Sequence, residues 1–264
     1  GTGTVTTLSG DNFTGTYVRT TGAQTYNDTV TLVAHTMLES SNAGNLTFGS
    51  TVDGGFDLKL NTAGVTALNA PVGFTAPLMS IMTDAHGTTQ LNAGPVKTVA
   101  AQTFNDPVTL IKDTTLTSTT LGDVTFNNTL DGGFALTVNT GGKTVFNNQV
   151  GAATALTSIT TDAAGSAQFQ DTGPVAAGAT PLVTIKTTGA QTYNDQALLA
   201  SDTMFASGAD LVFNNTIDGA FNLTINTAGQ TQFNDQIGAT ARLKTITTDA
   251  PGSVRFKDSV GTTV

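Results

Sequence analysis

Gly22-Ala23-Gln24-Thr25-Tyr26-Asn27-Asp28 returns as Ala100-Ala101-Gln102-Thr103-Phe104-Asn105-Asp106, and again as Gly189-Ala190-Gln191-Thr192-Tyr193-Asn194-Asp195. The same phrases trail each copy in the same order. Asp53-Gly54-Gly55-Phe56 is matched by Asp131-Gly132-Gly133-Phe134 and Asp218-Gly219-Ala220-Phe221. Asn61-Thr62-Ala63-Gly64 is matched by Asn139-Thr140-Gly141-Gly142 and Asn226-Thr227-Ala228-Gly229. Thr83-Asp84-Ala85-His86-Gly87 closes the first copy, with Thr161-Asp162-Ala163-Ala164-Gly165 and Thr248-Asp249-Ala250-Pro251-Gly252 in the others. One unit is written three times, and self-similarity of this kind outranks other signals in naming an architecture. The units are read as 21–98, 99–187 and 188–264, behind a divergent leader at 1–20, in one continuous solenoid. The longer step from Gln102 to Gln191 maps to a Gly/Ala/Pro-rich loop insertion near 176–183.

A second rhythm runs inside each unit. Thr-aromatic-Asn recurs around Phe104, Phe126 and Phe146 and around Tyr193, Phe213 and Phe233, with weaker versions at Phe48, Leu68, Leu91, Phe169 and Phe256. Steps of about 20 residues are the length of one β-solenoid coil. The segments between agree: Phe56-Asp57-Leu58-Lys59-Leu60, Phe134-Ala135-Leu136-Thr137-Val138 and Phe221-Asn222-Leu223-Thr224-Ile225 alternate apolar and polar residues, and Asp-Gly and Asn-Thr turns bound them. Gln196–Ala206 has a helical look, but its counterpart Pro107–Thr117 is built of strand formers, so both are read as strand. The predicted fold is therefore all-β, a right-handed parallel β-helix of about 20-residue coils. Tandem β-sandwich modules are the alternative, since the unit length also suits an immunoglobulin-like domain. A sandwich has no need of the inner phrase.

Composition narrows the function classes. Charged residues make up 11% of the chain and the net charge is -9, so the basic stripe of a nucleic-acid binder is missing. There is no cysteine, which removes disulfide scaffolds, zinc–cysteine sites and thiol catalysis together. No apolar run reaches the length of a membrane-spanning helix, so membrane insertion is not expected. A polar, cysteine-free chain rich in Thr, Asn and Gly fits an extracellular or cell-surface location.

The recurrent residues have a structural and a functional reading. Tyr26, Phe48, Phe104, Phe126, Phe146, Tyr193, Phe213 and Phe233 are the candidate core stack. The asparagines after the aromatic slot, Asn27, Asn105, Asn127, Asn147, Asn194, Asn214 and Asn234, are the candidates for an amide ladder at the coil spacing of about 4.8 Å. The functional reading of that row is a polar surface for glycans. Asp28, Asp106, Asp195 and Asp235 are the calcium candidates, because hard cations seek clustered carboxylates. The nonapeptide of calcium-binding β-rolls is absent, and turn aspartates commonly bond their own backbone. Catalysis has no nominee: of two histidines, His86 is Ala164 and Pro251 in the other copies, and the only glutamate is Glu39. No cofactor is expected. Thr115-Leu116-Thr117 and Thr245-Ile246-Thr247 have the form of ice-binding dyads, although Thr is also the ordinary exposed strand residue.

The phrases Gly-Ala-Gln-Thr-Tyr-Asn-Asp, Asp-Gly-Gly-Phe-Ala-Leu-Thr-Val-Asn-Thr and Ser-Ile-Thr-Thr-Asp-Ala-Ala-Gly resemble the β-strand repeats of large bacterial surface adhesins, filamentous-haemagglutinin-like and autotransporter-type. The resemblance covers almost all of the chain beyond the leader. It implies a non-enzymatic rigid stalk or self-assembling extracellular filament, with no catalytic residues to carry over. A secretion-domain signature and a translocator barrel are absent. The expected partners are further copies of the chain, and surface glycans or host-cell receptors if the face is adhesive. A polysaccharide-active β-helix enzyme is the more distant alternative, and the uncharged insertion offers it no site.

Overall fold

Short alternating segments between Asn-Asp and Asp-Gly turns can only form short strands, and that is what they form. The structure is a computed structural model and describes residues 6–8, 17–173, 182–250 and 252–257. Among the described residues every regular element is a β-strand, of two to six residues. Val124–Phe126 shows the local rule: Val124 and Phe126 are buried while Thr125 faces out. The tempting segment Gln196–Ala206 is two strands, Gln196–Leu199 and Asp202–Ser207.

Every strand pair is parallel, and partners come from successive coils: Phe104 lies beside Phe126, Phe126 beside Phe146, and Phe146 beside Phe169. The chain is thus a parallel β-solenoid of about ten turns, each of about 22 residues rather than 20. Tandem sandwiches are excluded, since their sheets are antiparallel. The strands that the alternation predicts to begin at Phe56, Phe134 and Phe221 begin later, at Leu58, Ala135 and Asn222. The phenylalanine instead closes the turn, as its N–H donates to the carbonyl of Gly54, Gly132 or Gly219.

Three faces run the length of the molecule. The first begins with Gln24–Tyr26, the second with Thr6–Leu8 and Val30–Leu32, the third with Tyr17–Thr20 and Thr36–Ser40. The predicted leader therefore supplies two strands of the solenoid, paired on Val30–Leu32 and Met37–Ser40. Leu182 and Val183 of the predicted insertion lie in the strand Leu182–Thr187, and positions 176–181 fall outside the described residues.

The repeats do not stay on one face. Gln24–Tyr26 opens unit one on the first face, Gln102–Phe104 opens unit two on the third, and Gln191–Tyr193 opens unit three on the second. The cause is the strand count. From Gln24–Tyr26 to Gly94–Thr98 there are ten strands and one further position on the second face, filled by the bridge residues Val72 and Leu78, which makes eleven steps around a three-sided coil. Among the described residues unit two repeats the count from Gln102–Phe104 to Leu182–Thr187, with Val150 and Leu156 filling the extra position. Each of the first two units thus makes three turns and two thirds, so the unit that follows starts a third of a turn out of step.

The interior is continuous. Its aromatic rings form three stacks, one per unit, because of that rotation. Tyr26 lies on Phe48 at 5.3 Å; Phe104, Phe126, Phe146 and Phe169 follow at 5.4, 5.5 and 5.8 Å; Tyr193, Phe213 and Phe233 at 5.2 and 5.7 Å, with the exposed Phe256 ending that stack at 5.3 Å. Phe205, which the inner phrase does not mark, sits edge-on between Phe169 and Phe213 and joins two stacks. Large buried rings of this kind dominate a core's apolar burial.

Candidate functional site

The most repeated words of the sequence are spent inside the molecule. The glutamine that opens each unit points inward at a corner and is buried. Gln102 Nε2 donates to the carbonyls of Val96 and Thr117 at 3.1 and 3.0 Å and to Thr98 Oγ1 at 3.3 Å. Gln191 does the same to Ile185, Ala206 and Thr187, and Gln24 to Val18, Glu39 and Thr20. One side chain so ties the preceding strand to the coil above. Its carbonyl is met by a tyrosine hydroxyl two residues on, from Tyr26 at 2.7 Å and Tyr193 at 3.1 Å. Unit two has Phe104 in that slot, and Gln102 Oε1 is buried with no hydrogen-bond partner. The sequence reading passed over this glutamine, although its invariance across the three copies was the available signal.

The seven predicted ladder asparagines fall into three groups on three corners, not one row. Asn127 Nδ2 donates to Asn105 Oδ1 at 2.6 Å, and Asn147 Nδ2 to Asn127 Oδ1 at 2.7 Å. Asn214 bonds Asn194 and Asn234 bonds Asn214, both at 2.6 Å. Each run is anchored below by a backbone carbonyl: Asn105 donates to Thr83 at 2.6 Å and Asn194 to Thr161 at 2.7 Å. Asn27 has Gly49 on the next rung, so the first unit has no ladder there. Two rungs on, Asn92 bonds Asn69. These two were legible as the Leu-Asn versions of the same phrase.

The aspartates are staples too. Asp53, Asp131 and Asp218 each accept two backbone N–H groups from the loop one coil above, Thr75 and Ala76, Ala153 and Thr154, Thr240 and Ala241, at 2.8 to 3.0 Å. Partial burial alone would raise the Asp218 carboxyl, but these donors, with Gln196 and Thr216, hold it below the usual carboxylate range. Asp84, Asp162 and Asp249 accept the N–H of Thr62, Thr140 and Thr227 on the coil below.

The four calcium candidates do not converge. Asp106 and Asp195 are 2% and 1% exposed and are turned inward to threonine hydroxyls at two different corners, whereas Asp28 is half-buried at the third and Asp235 is half-buried two coils beyond Asp195. Thr83 and Thr89 both donate to Asp106, and Thr161 donates to Asp195 at 2.6 Å. Among the described residues no three His, Asp or Glu side chains come close enough to hold a metal ion. The reason is physical: a turn carboxylate above a coil of threonines finds hydroxyl donors nearer than a shared cation.

His35 Nδ1 is 2.6 Å from Asp57 Oδ2, while Ser80 Oγ donates to Asp57 Oδ1 at 2.5 Å. The hydroxyl therefore addresses the carboxylate and not the imidazole, the reverse of a nucleophile–base pair. His86 is exposed, 3.5 Å from Asp84. The threonine dyads give one outward rank at coil spacing, Thr115, Thr137, Thr160 and Thr192, whose second rank reads Lys97, Thr117 and Asn139. The hollows in the surface are shallow, and one of about 320 Å³ is bounded by Gln170, Asp171, Ser201, Asp202, Phe221 and Lys244. Asp171 and Asp202 there are already engaged, by Gly173 and Leu182 and by Asn222.

No protein-family model matches this chain, and no curated protein or solved structure matches it.

Proposed function

We propose that this chain is a non-enzymatic structural rod of a secreted or cell-surface protein, forming a rigid stalk that assembles into extracellular filaments. The observation that carries this reading is where the repeated residues go. Gln, Asn and Asp, groups a binding or catalytic site would present, are consumed in bonds between one coil and the next, and Tyr in supporting the glutamine on its own strand. A parallel ladder with stacked rings below it resists bending, because successive coils are bonded to one another on all three faces. The weakly charged, Thr-, Asn- and Gly-rich composition supports an extracellular setting. A strand edge left unpaired is a template for a further copy, and that is the route by which the filament would grow.

Negative-stain electron microscopy of the purified chain over a wide concentration range tests this. About ten turns at roughly 4.8 Å should give rods near 50 Å long, joining end to end as concentration rises. Rods whose length and mass stay those of one chain at every concentration would remove the self-assembly part. Compact particles without an axis would remove the stalk itself.

A further inference from the structure

The corner where one unit passes to the next carries a buried carboxylate that the proposed function does not use. Asp106 and Asp195 occupy equivalent slots, each lying over the closing phrase of the unit before. Below Asp106, Thr83 Oγ1 donates to Oδ1 at 2.6 Å, and Thr89 Oγ1 reaches both oxygens, at 3.0 and 2.8 Å. Below Asp195, Thr161 repeats the first bond at 2.6 Å. The equivalent of Thr89 is Ala167, which is fully buried and has no donor to offer. Asp195 Oδ2 is accordingly buried without a hydrogen-bond partner.

We infer that the junction between the second and third units is a proton-operated latch, closed while Asp195 is a neutral carboxylic acid and loosened when it ionises. The neutral form fits the site because a lone buried oxygen is tolerated uncharged and heavily penalised as half of a carboxylate. The charged neighbour is Asp162 on the coil below, of the same sign, which disfavours ionisation further. By register the coil above brings Asn214 and Asn215, and the following strand Gln196–Leu199 brings no charge. On the residue's own strand Tyr193 is buried and held neutral, its hydroxyl raised well above the usual tyrosine value by burial and by Asp195. Burial first, and Asp162 second, lift the Asp195 carboxyl from 3.8 to about 7, against the pull of Thr161 and its own backbone. Asp106 is raised as well, with both threonines opposing.

The direction in pH follows from that inequality. Below about pH 4 both folded and unfolded chains hold the proton, and the junction has its full stability. Between there and about 7 the unfolded chain has shed a proton that the folded one keeps, so stability falls as pH rises. Above about 7 the loss is complete, on the order of a thousandfold in the local opening constant.

The decisive measurement follows the Asp195 side-chain carboxyl carbon by NMR through a pH titration of the whole chain, alongside hydrogen-exchange protection of Thr192–Asn194 at pH 5 and 8.5. A titration midpoint near 7, with protection at least tenfold lower at pH 8.5, is the expected result. In Asp195→Asn the protection should be the same at both pH values, and in Ala167→Thr the midpoint should move down as the second hydroxyl is restored. A midpoint near 4 in the unaltered protein overturns the latch, and so does an equal loss of protection in Asp195→Asn. If a variant does not fold, the titration of the unaltered protein decides alone.

Discussion

Phe104→Tyr should make the protein more stable, although it adds a polar group to a site that is 0% exposed. The first and third units show the arrangement it would restore, with Tyr26 and Tyr193 donating to Gln24 and Gln191 at 2.7 and 3.1 Å. The ring need not move: Phe104 stacks on Phe126 at 5.4 Å and 15°, and Tyr193 on Phe213 at 5.2 Å and 16°. A buried acceptor with no donor costs about 1–3 kcal/mol, and a neutral hydrogen bond contributes about 1 kcal/mol net. Supplying the missing donor to Gln102 Oε1 should therefore raise stability by about 1–2 kcal/mol, less the desolvation of the new hydroxyl. Urea unfolding measures it as a shifted midpoint at constant slope. Because a solenoid can open by segments, exchange protection of Gln102–Phe104 should be read alongside. The same substitution in a Gln102→Leu background should bring no gain. A neutral or destabilising Phe104→Tyr, or an equal gain in both backgrounds, would refute the account of the corner.

Two further expectations follow from the turns. Gly132 has φ 127°, and an added Cβ would lie 2.2 Å from the Leu110 carbonyl oxygen, whereas Gly133 has nothing within 4 Å. Gly132→Ala should therefore lose about 2–3 kcal/mol in urea unfolding, from strain and the clash, and Gly133→Ala should stay within about 0.5 kcal/mol of the parent. Asp218, whose carboxyl is held low by the Thr240 and Ala241 N–H groups after partial burial is overcome, should act in the opposite sense to Asp195. Its contribution is present above about pH 4 and lost as pH falls through its folded value, so acid should selectively deprotect the amides of Thr240 and Ala241 in hydrogen exchange, and Asp218→Asn should abolish that selective loss.

The sequence by itself determined the local rules. Period-two alternation between turn formers made strands, the Thr-aromatic-Asn phrase set the coil, and its return placed aromatics in the core. Those features depend on neighbours a few residues apart, or on the identity of one coil with the next, and a linear reading sees both. Only the tertiary structure decided which copies share a face. An eleven-step unit around a three-sided coil does not close, so Asn27, Asn105 and Asn194 sit on three corners although their sequences match. A period read along the chain has no angle in it. The same limit hid the roles of the polar residues: whether Asp106 faces solvent or two threonines depends on residues about one coil earlier, and whether Gln102 is satisfied depends on a hydroxyl that Phe104 lacks. Burial and hydrogen bonding are properties of the stacked coils, and stacking is set by register across faces and not by the order of residues alone.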